Sequence, residues 1–553
     1  MHFSILAGVF GTALAFVSAA FGQPVPALAT VPAGGAADTV SVAAGVANTF
    51  TYRVSWDAAL LGKSYTGRVY IVMTSARGAK NEPRMMVNNW FQPPMVLSRD
   101  VAGVAAGTEV ELKAGGDGVL QFPADMAKFE TRFGKLSKVR VQAVARVSRV
   151  GPVPGQSEGD VYSEPVDVTV SEGGNVISGG AVNAESKAVV LKLSRTVGAA
   201  KFQESAKIKE FTMVSPELSA FHGFEYTVKA GVSLPEGWSE EAVAAGKTWP
   251  VVYSVTGFGS EHVSVKDMGR KFAPGCILVV PDASNHDGHS VFADSVNTGP
   301  WGQVLTLEIA PAIEKKFGGP LAAAPAGALQ DRLRASASRR FTTGVSSGGW
   351  SSLWLVVTYP AWFDSCWSHV PDPVDFRDFQ QIDLTEADVN MLRTQSGVRR
   401  PIARMGDNIA LYYDDFVSLE TAIGPGGQIH SFEAVFSPKG ADGKPRQVFE
   451  RATGKVNPEV AKAWEKYDIR VILERDWADL GPKLTGKLHV FAGDVDNFYL
   501  DGAARLLKAS LAKLGSDAVV EIVPDMGHRL YGKGQEMMLA RIKQRQDEFE
   551  KGK

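Results

Sequence analysis

The sequence predicts a two-part chain, an all-β domain followed by an α/β domain, and three observations carry that prediction. Between about residues 38 and 170, apolar and polar residues alternate in short runs, the period of half-buried strands. Residues 171–186 then hold four glycines and almost no bulky side chain, a composition that suits a linker. Beyond residue 187, continuous apolar runs alternate with helix-length segments, the signature of an α/β domain.

At 553 residues the chain is too long for one ordinary core and long enough for two or three domains. Hydrophobic content of 45% and charged content of 21% are those of a folded protein. A net charge of −2 shows no basic excess, so the electrostatic footprint of a nucleic-acid binder is missing. Residues 3–22 are apolar and uncharged, end in small residues, and precede the polar Gln23-Pro24-Val25-Pro26. They read as a signal peptide spanning 1–22, with an uncleaved N-terminal anchor as the rival reading because the n-region offers only His2 in place of Lys or Arg. Export to the periplasm or the exterior follows, with no membrane association after cleavage.

In the β region, residues 139–147 place apolar side chains at odd positions and arginines at two even ones. Residues 51–56, 68–73 and 166–170 behave alike, with Gly, Pro and Asp clusters between them. The expectation is a β-sandwich of immunoglobulin-like size over 38–170. After the linker, residues 250–255 and 276–280 suit central parallel strands. Residues 304–317 read as a helix kinked near Pro311, 364–370 and 488–491 as strands, 501–514 as a helix, and 519–523 as the last strand. Between about 400 and 480 the pattern loosens, which reads as an insertion over the site, the place for a lid or substrate wall.

The chemistry centres on Gly344-Val345-Ser346-Ser347-Gly348, a Gly-x-Ser-x-Gly between a β-type run and an apolar helix-length segment that stops at Pro360. A serine on a sharp strand-to-helix turn projects its hydroxyl clear of the sheet, so Ser346 is the candidate nucleophile. With 57 glycines the pattern also arises by chance, and Gly155-Gln156-Ser157-Glu158-Gly159 matches without strand or helix around it. Context therefore selects Ser346 over Ser157.

A serine nucleophile needs a base and a carboxylate that orients it. Asp496 follows the strand at 488–491, and His528 follows the strand at 519–523. Ser346, Asp496 and His528 occur in the chain order of the α/β-hydrolase fold. The 150 residues from serine to aspartate leave room for the insertion, and the 32 to the histidine leave room for one helix and one strand. Asp494 competes for the acid role, but it lies nearer the strand end. The oxyanion needs two backbone N–H donors, expected from Ser347 and from Phe258 in the loop Thr256-Gly257-Phe258-Gly259-Ser260. Trp301, in Asn297-Thr298-Gly299-Pro300-Trp301-Gly302, is a candidate substrate wall.

Ser215-Pro216-Glu217-Leu218, residues 230–235, residues 251–257, the elbow at 344–349 and Met526-Gly527-His528 together resemble the esterase family that includes esterase D (S-formylglutathione hydrolase), feruloyl esterases and mycolyltransferases. The resemblance runs from about 187 to the C-terminus. It implies a serine esterase or acyltransferase of 187–553 acting on a small-molecule or polysaccharide-linked ester, with no metal and no other cofactor. It also implies a strand order that keeps Cys276 and Cys366 on the fourth and sixth strands, too far apart for a disulfide. The chain departs from the family at Thr256 and Val345, where histidine is frequent; neither position belongs to the triad.

Two rival readings stand beside a hydrolase acting through an acyl-enzyme: transfer of the acyl group to a carbohydrate hydroxyl, and a non-catalytic binding protein that uses the β-sandwich. The loop Asp282 to His289, with two histidines and two further carboxylates, has the makeup of a metal site but reads better as lining of the cleft. Proteolysis within 171–186 is expected to release an active C-terminal fragment.

Overall fold

The computed structural model describes residues 51–76, 82–87, 90–134, 138–170, 176–178, 188–268 and 275–552. The signal peptide read at 1–22 lies outside them, as does most of the linker read at 171–186. The chain divides into two compact units, one of residues 1–83, 95–145 and 162–195 and one of residues 84–94, 146–161 and 196–553.

In the first unit the alternation holds at Thr51–Trp56, whereas residues 69–73 and 141–145 are buried on both faces. Thr51–Trp56 buries Tyr52, Val54 and Trp56 and turns the residues between them outward. The strands form one hydrogen-bonded path in the order Val110–Lys113, Thr51–Trp56, Val189–Thr196, Val161–Ser163, Lys138–Ala145, Ser64–Ser75, Met95–Ala105 and Val119–Phe122. Val166–Val170 branches from Lys138–Ala145 and pairs in turn with Val176–Ser178. The expected sandwich is thus a single connected sheet in its hydrogen bonding.

Two boundaries move. Val176–Ser178 is a short strand inside the segment read as linker, and Val189–Thr196 pairs in parallel with Thr51–Trp56, so the first unit extends to Arg195 rather than ending at 170. The reason is the alternation in Val189–Thr196, whose inward Val189, Leu191 and Leu193 are buried in that sheet. Conversely, residues 84–94 and 146–161, read as part of the β domain, belong to the second unit.

The second unit is built on eight strands: β1 (Ile208–Val214), β2 (Thr227–Ser233), β3 (Val251–Val255), β4 (Ile277–Pro281), β5 (Arg340–Val345), β6 (Ser365–His369), β7 (Leu488–Gly493) and β8 (Val519–Val523). Their order is β1-β2-β4-β3-β5-β6-β7-β8. β2 runs antiparallel to β1 and β4, and every pair from β4 to β8 is parallel. That order, with the serine turn after β5, is the α/β-hydrolase fold. β3, β4, β5 and β6 are buried almost throughout, and in β3 and β4 this burial on both faces is what the continuous apolar runs report. Cys276 and Cys366 flank the intervening β3 and β5, and both are buried thiols outside any disulfide. Burial pushes both thiols up to about 12.

Helix Ser347–Thr358 follows β5 and is buried over nearly its whole length. Pro311 does not break its helix sharply. The turn before it, Val304–Ile309, widens to π-helical bonding and absorbs the clash of the ring with the preceding carbonyls, and Ala310–Phe317 continues as α-helix. Between β6 and β7 lie the hairpin Pro401–Met405 and Asn408–Tyr412, then helices Tyr413–Ile423, Gln428–Phe436, Pro458–Trp464 and Ile469–Leu484.

Behind the elbow, at the far end of β5, Arg340 and Glu314 form a buried ion pair with side-chain exposures of 1% and 0%. Arg340 Nε and Nη2 donate to the two Glu314 oxygens at 2.6 and 2.9 Å; Nη1 donates to Leu333 O and Trp362 O, and Nη2 also to Ser336 Oγ. Glu314 accepts in addition from Tyr253 Oη and Leu321 N. Every guanidinium donor is used, so removing either partner strands a buried charge. Glu314→Ala is expected to cost about 3–5 kcal/mol, read as a lower urea midpoint at an unchanged m-value.

Candidate active site

The turn after β5 is dictated by close packing. A Cβ on Gly344 would lie 2.2 Å from Gly348 O, and one on Gly348 would lie 2.0 Å from Val255 O. No side chain fits at either position, so the glycine spacing of the motif is a steric requirement. Between them Ser346 takes φ 62°, ψ −126°, a strained backbone for a residue with a side chain. Its N–H donates to His369 O at 3.0 Å, and its carbonyl accepts from Trp350 N at 3.0 Å and Asp372 N at 3.3 Å. Ser157, by contrast, is buried in a loop and donates to Val153 O.

Asp496 and His528 meet. His528 Nδ1 lies 2.8 Å from Asp496 Oδ2, with both side chains buried. A carboxylate only accepts, so Nδ1 carries the proton and Nε2 is left basic. Asp496 Oδ1 accepts from Phe498 N and Leu500 N, and His528 N donates to Asn497 Oδ1, which ties the two loops together. Burial works against a charged His528, but the charge and hydrogen bond of Asp496 and the charge of Asp372 outweigh it, and the imidazole is held above its ordinary value. Asp494 accepts from Asp525 N at 2.8 Å and faces the turn instead.

Phe258 sits in the half-buried loop after β3, and an added Cβ on its neighbour Gly257 would lie 3.4 Å from Ser346 Cβ. The loop is held from below by His289. Val291 N donates to His289 Nδ1 at 3.0 Å, which places the other proton on Nε2, and Nε2 donates to Thr256 O at 3.1 Å. Burial lowers the pKa of His289 to about 4, so it stays neutral. Ser347 opens the helix at the same edge.

Trp301 does not reach the site. It is 1% exposed, packs edge-on to Tyr226 and Phe292, and spends its N–H on Thr298 O. The ring belongs to the core and not to a substrate wall.

Two groups missed in the sequence stand near the site instead. Trp90 stacks on Phe258 at 5.6 Å between centroids and meets Phe416 and Phe498 edge-on at 4.9 and 6.3 Å; Phe498 in turn lies edge-on to His528 at 4.8 Å. Asp372, two residues past Val370, accepts from Ser346 Oγ at 3.4 Å and Ser347 Oγ at 2.5 Å. Nothing local marks either residue. The inserted hairpin also touches the acid loop: Arg404 Nε donates to Asp496 O, and Asn497 Nδ2 donates to Arg404 O.

The loop at 282–289 spends both of its histidines on protein. His286 bonds Ser148 O, and Arg146 donates to His286 O. Glu261, His262 and Asp282 bring ligand-type atoms within 4.8 Å of one another. Both His262 nitrogens already face carboxylates, Asp282 at 2.8 Å and Glu210 at 2.9 Å, which makes this an ion-pair cluster.

No protein-family model and no curated protein matches the chain. Its structural neighbours are esterases and serine hydrolases. An S-formylglutathione hydrolase from Agrobacterium tumefaciens is 16% identical, with 61% of this chain and 94% of that one covered and a TM-score of 0.34. The fluorophosphonate-binding serine hydrolase F of Staphylococcus aureus is 13% identical, with 61% and 97% covered and a TM-score of 0.36. A ferulic acid esterase from Anaeromyces mucronatus is 13% identical, with 61% and 91% covered and a TM-score of 0.31.

Trp90 and Arg146 lie upstream of any fragment cut at 171–186, so that fragment should be inactive, contrary to the expectation from the linker alone. Trp90→Ala in the full chain should lower kcat/KM about tenfold, the equivalent of its three ring pairs lost at about 0.5 kcal/mol each. Unchanged steady-state kinetics would remove Trp90 from the site.

Proposed function

We propose that the protein is a carboxylic-ester hydrolase acting through an acyl-enzyme on Ser346, with His528 as base and Asp496 as orienting acid. The observation that carries this reading is the strained Ser346 turn at the same end of the sheet as the buried Asp496–His528 pair. His528 Nε2 takes the Ser346 proton as Oγ attacks the ester carbonyl, and Asp496 stabilises the imidazolium that forms. The N–H groups of Phe258 and Ser347 receive the oxyanion. His528 then protonates the departing alkoxide, and water repeats the sequence on the acyl-enzyme to regenerate Ser346. The apolar, uncharged segment 3–22 supports export, and among the described residues no helix is long and apolar enough to cross a membrane.

Ser346→Ala should abolish hydrolysis of p-nitrophenyl acetate and covalent labelling by a fluorophosphonate, while Ser157→Ala leaves both intact. Asp496→Asn should lower kcat by up to about 10⁴-fold with the fold intact, and Asp494→Asn far less; the reverse ranking would move the acid role to Asp494. The base works only when neutral, and its pKa is raised. The acid limb of kcat/KM should therefore fall above the ordinary imidazole value, activity being lost as pH drops through it.

A further inference from the structure

Asp372 is 4% exposed, and no arginine or lysine among the described residues forms an ion pair with it. Its carboxylate is held by two hydroxyl donors, the short bond from Ser347 Oγ at 2.5 Å and the long one from Ser346 Oγ at 3.4 Å. A buried carboxylate is stable only while its acceptor sites are filled. The Ser346 proton is the one that leaves in the first chemical step. Once Oγ is acylated, Asp372 Oδ1 has lost a donor while Oδ2 keeps Ser347.

Taking the serine-hydrolase reading above as its basis, we propose that Asp372 is a catalytic residue of the second half-reaction, holding the attacking water of the acyl-enzyme and favouring it over an alcohol. Oδ1 stands 3.4 Å from the oxygen that carries the acyl group, so a hydroxyl bonded to Oδ1 lies beside the acyl carbon. Water has two hydrogens. One is held by Asp372 and the other passes to His528 Nε2 as the water oxygen bonds to the acyl carbon. The tetrahedral intermediate then expels Ser346 Oγ, which recovers its proton from His528, and Asp372 keeps its charge throughout. A simple alcohol has one hydrogen on the attacking oxygen and serves either Asp372 or His528, leaving the other unsatisfied. The site is thereby biased toward hydrolysis.

The test is the partition of the acetyl-enzyme between water and methanol, followed by stopped flow with p-nitrophenyl acetate and by product analysis. Asp372→Asn removes the charge beside His528 in both steps, and deacylation should fall about tenfold more than acylation, the scale of one hydrogen bond to a charged group. A burst of one p-nitrophenolate per site should appear, and the ratio of methyl acetate to acetate should rise at least about fivefold. The wild-type protein offers a second measurement that needs no variant. Burial pushes Asp372 up to about 6, against the hydrogen bonds of Ser347 and Ser346 and the charge of His528, with the Asp496 charge adding to the rise. Its protonated form accepts less well, so the methyl acetate ratio should rise as pH falls toward 6. Equal losses in acylation and deacylation, or a partition ratio indifferent to both the substitution and pH, overturn the proposal. Absence of any acyl-enzyme in the wild-type protein would instead remove the hydrolase reading on which it rests.

Discussion

The second unit depends on one backbone contact, the approach of the helix at Gly348 to the carbonyl of Val255 at the end of β3. A Cβ there would come within 2.0 Å of that oxygen, so the helix reaches this depth only as glycine. Because the helix comes in so close, β5 must turn into it without intermediate residues, and the turn falls on Ser346. The resulting φ of 62° belongs to a class of strain worth about 1–3 kcal/mol. It persists because neighbouring backbone fixes both of its peptide groups, His369 O taking its N–H and Asp372 N reaching its carbonyl. The same contact that creates the strain therefore exposes the hydroxyl.

Features decided by local chemistry were legible in the sequence. Glycine on either side of Ser346 reports a steric need that acts over four residues, and apolar runs such as β3 and β4 report strands buried on both faces. The ordering of Asp494 and Asp496 was also local. One residue past Gly493 the aspartate caps the turn with Asp525 N, and three residues past it the side chain reaches His528. Even the alternating strand Val189–Thr196 was visible in principle; the glycine-rich stretch before it drew the boundary too early.

Features decided by distant partners were not. Trp90 lies 438 residues from His528, and no periodicity announces that its ring will stack on Phe258. Asp372 sits in Val370-Pro371-Asp372-Pro373, where proline-flanked aspartate reads as a turn residue. Its buried position follows from β6 lying beside β5, which brings the segment after β6 onto the serine turn. Trp301 failed in the opposite sense, because a Gly-Pro-Trp-Gly loop looks exposed until Tyr226 and Phe292 close over it.

The electrostatics of the site follow from this combination. Two buried carboxylates, Asp496 and Asp372, bias one imidazole toward its charged form, while Phe498 packs edge-on against it. Charges interact more strongly where water is displaced, so the same aromatic packing that narrows the site also amplifies the pull of the carboxylates on His528. A base raised too far is protonated at rest and inert. The neutral partners of the pair set the balance: Ser346 and Ser347 hydroxyls temper Asp372, and the Phe498 and Leu500 N–H groups temper Asp496. Each hydrogen bond drains charge density that would otherwise fall on the imidazole.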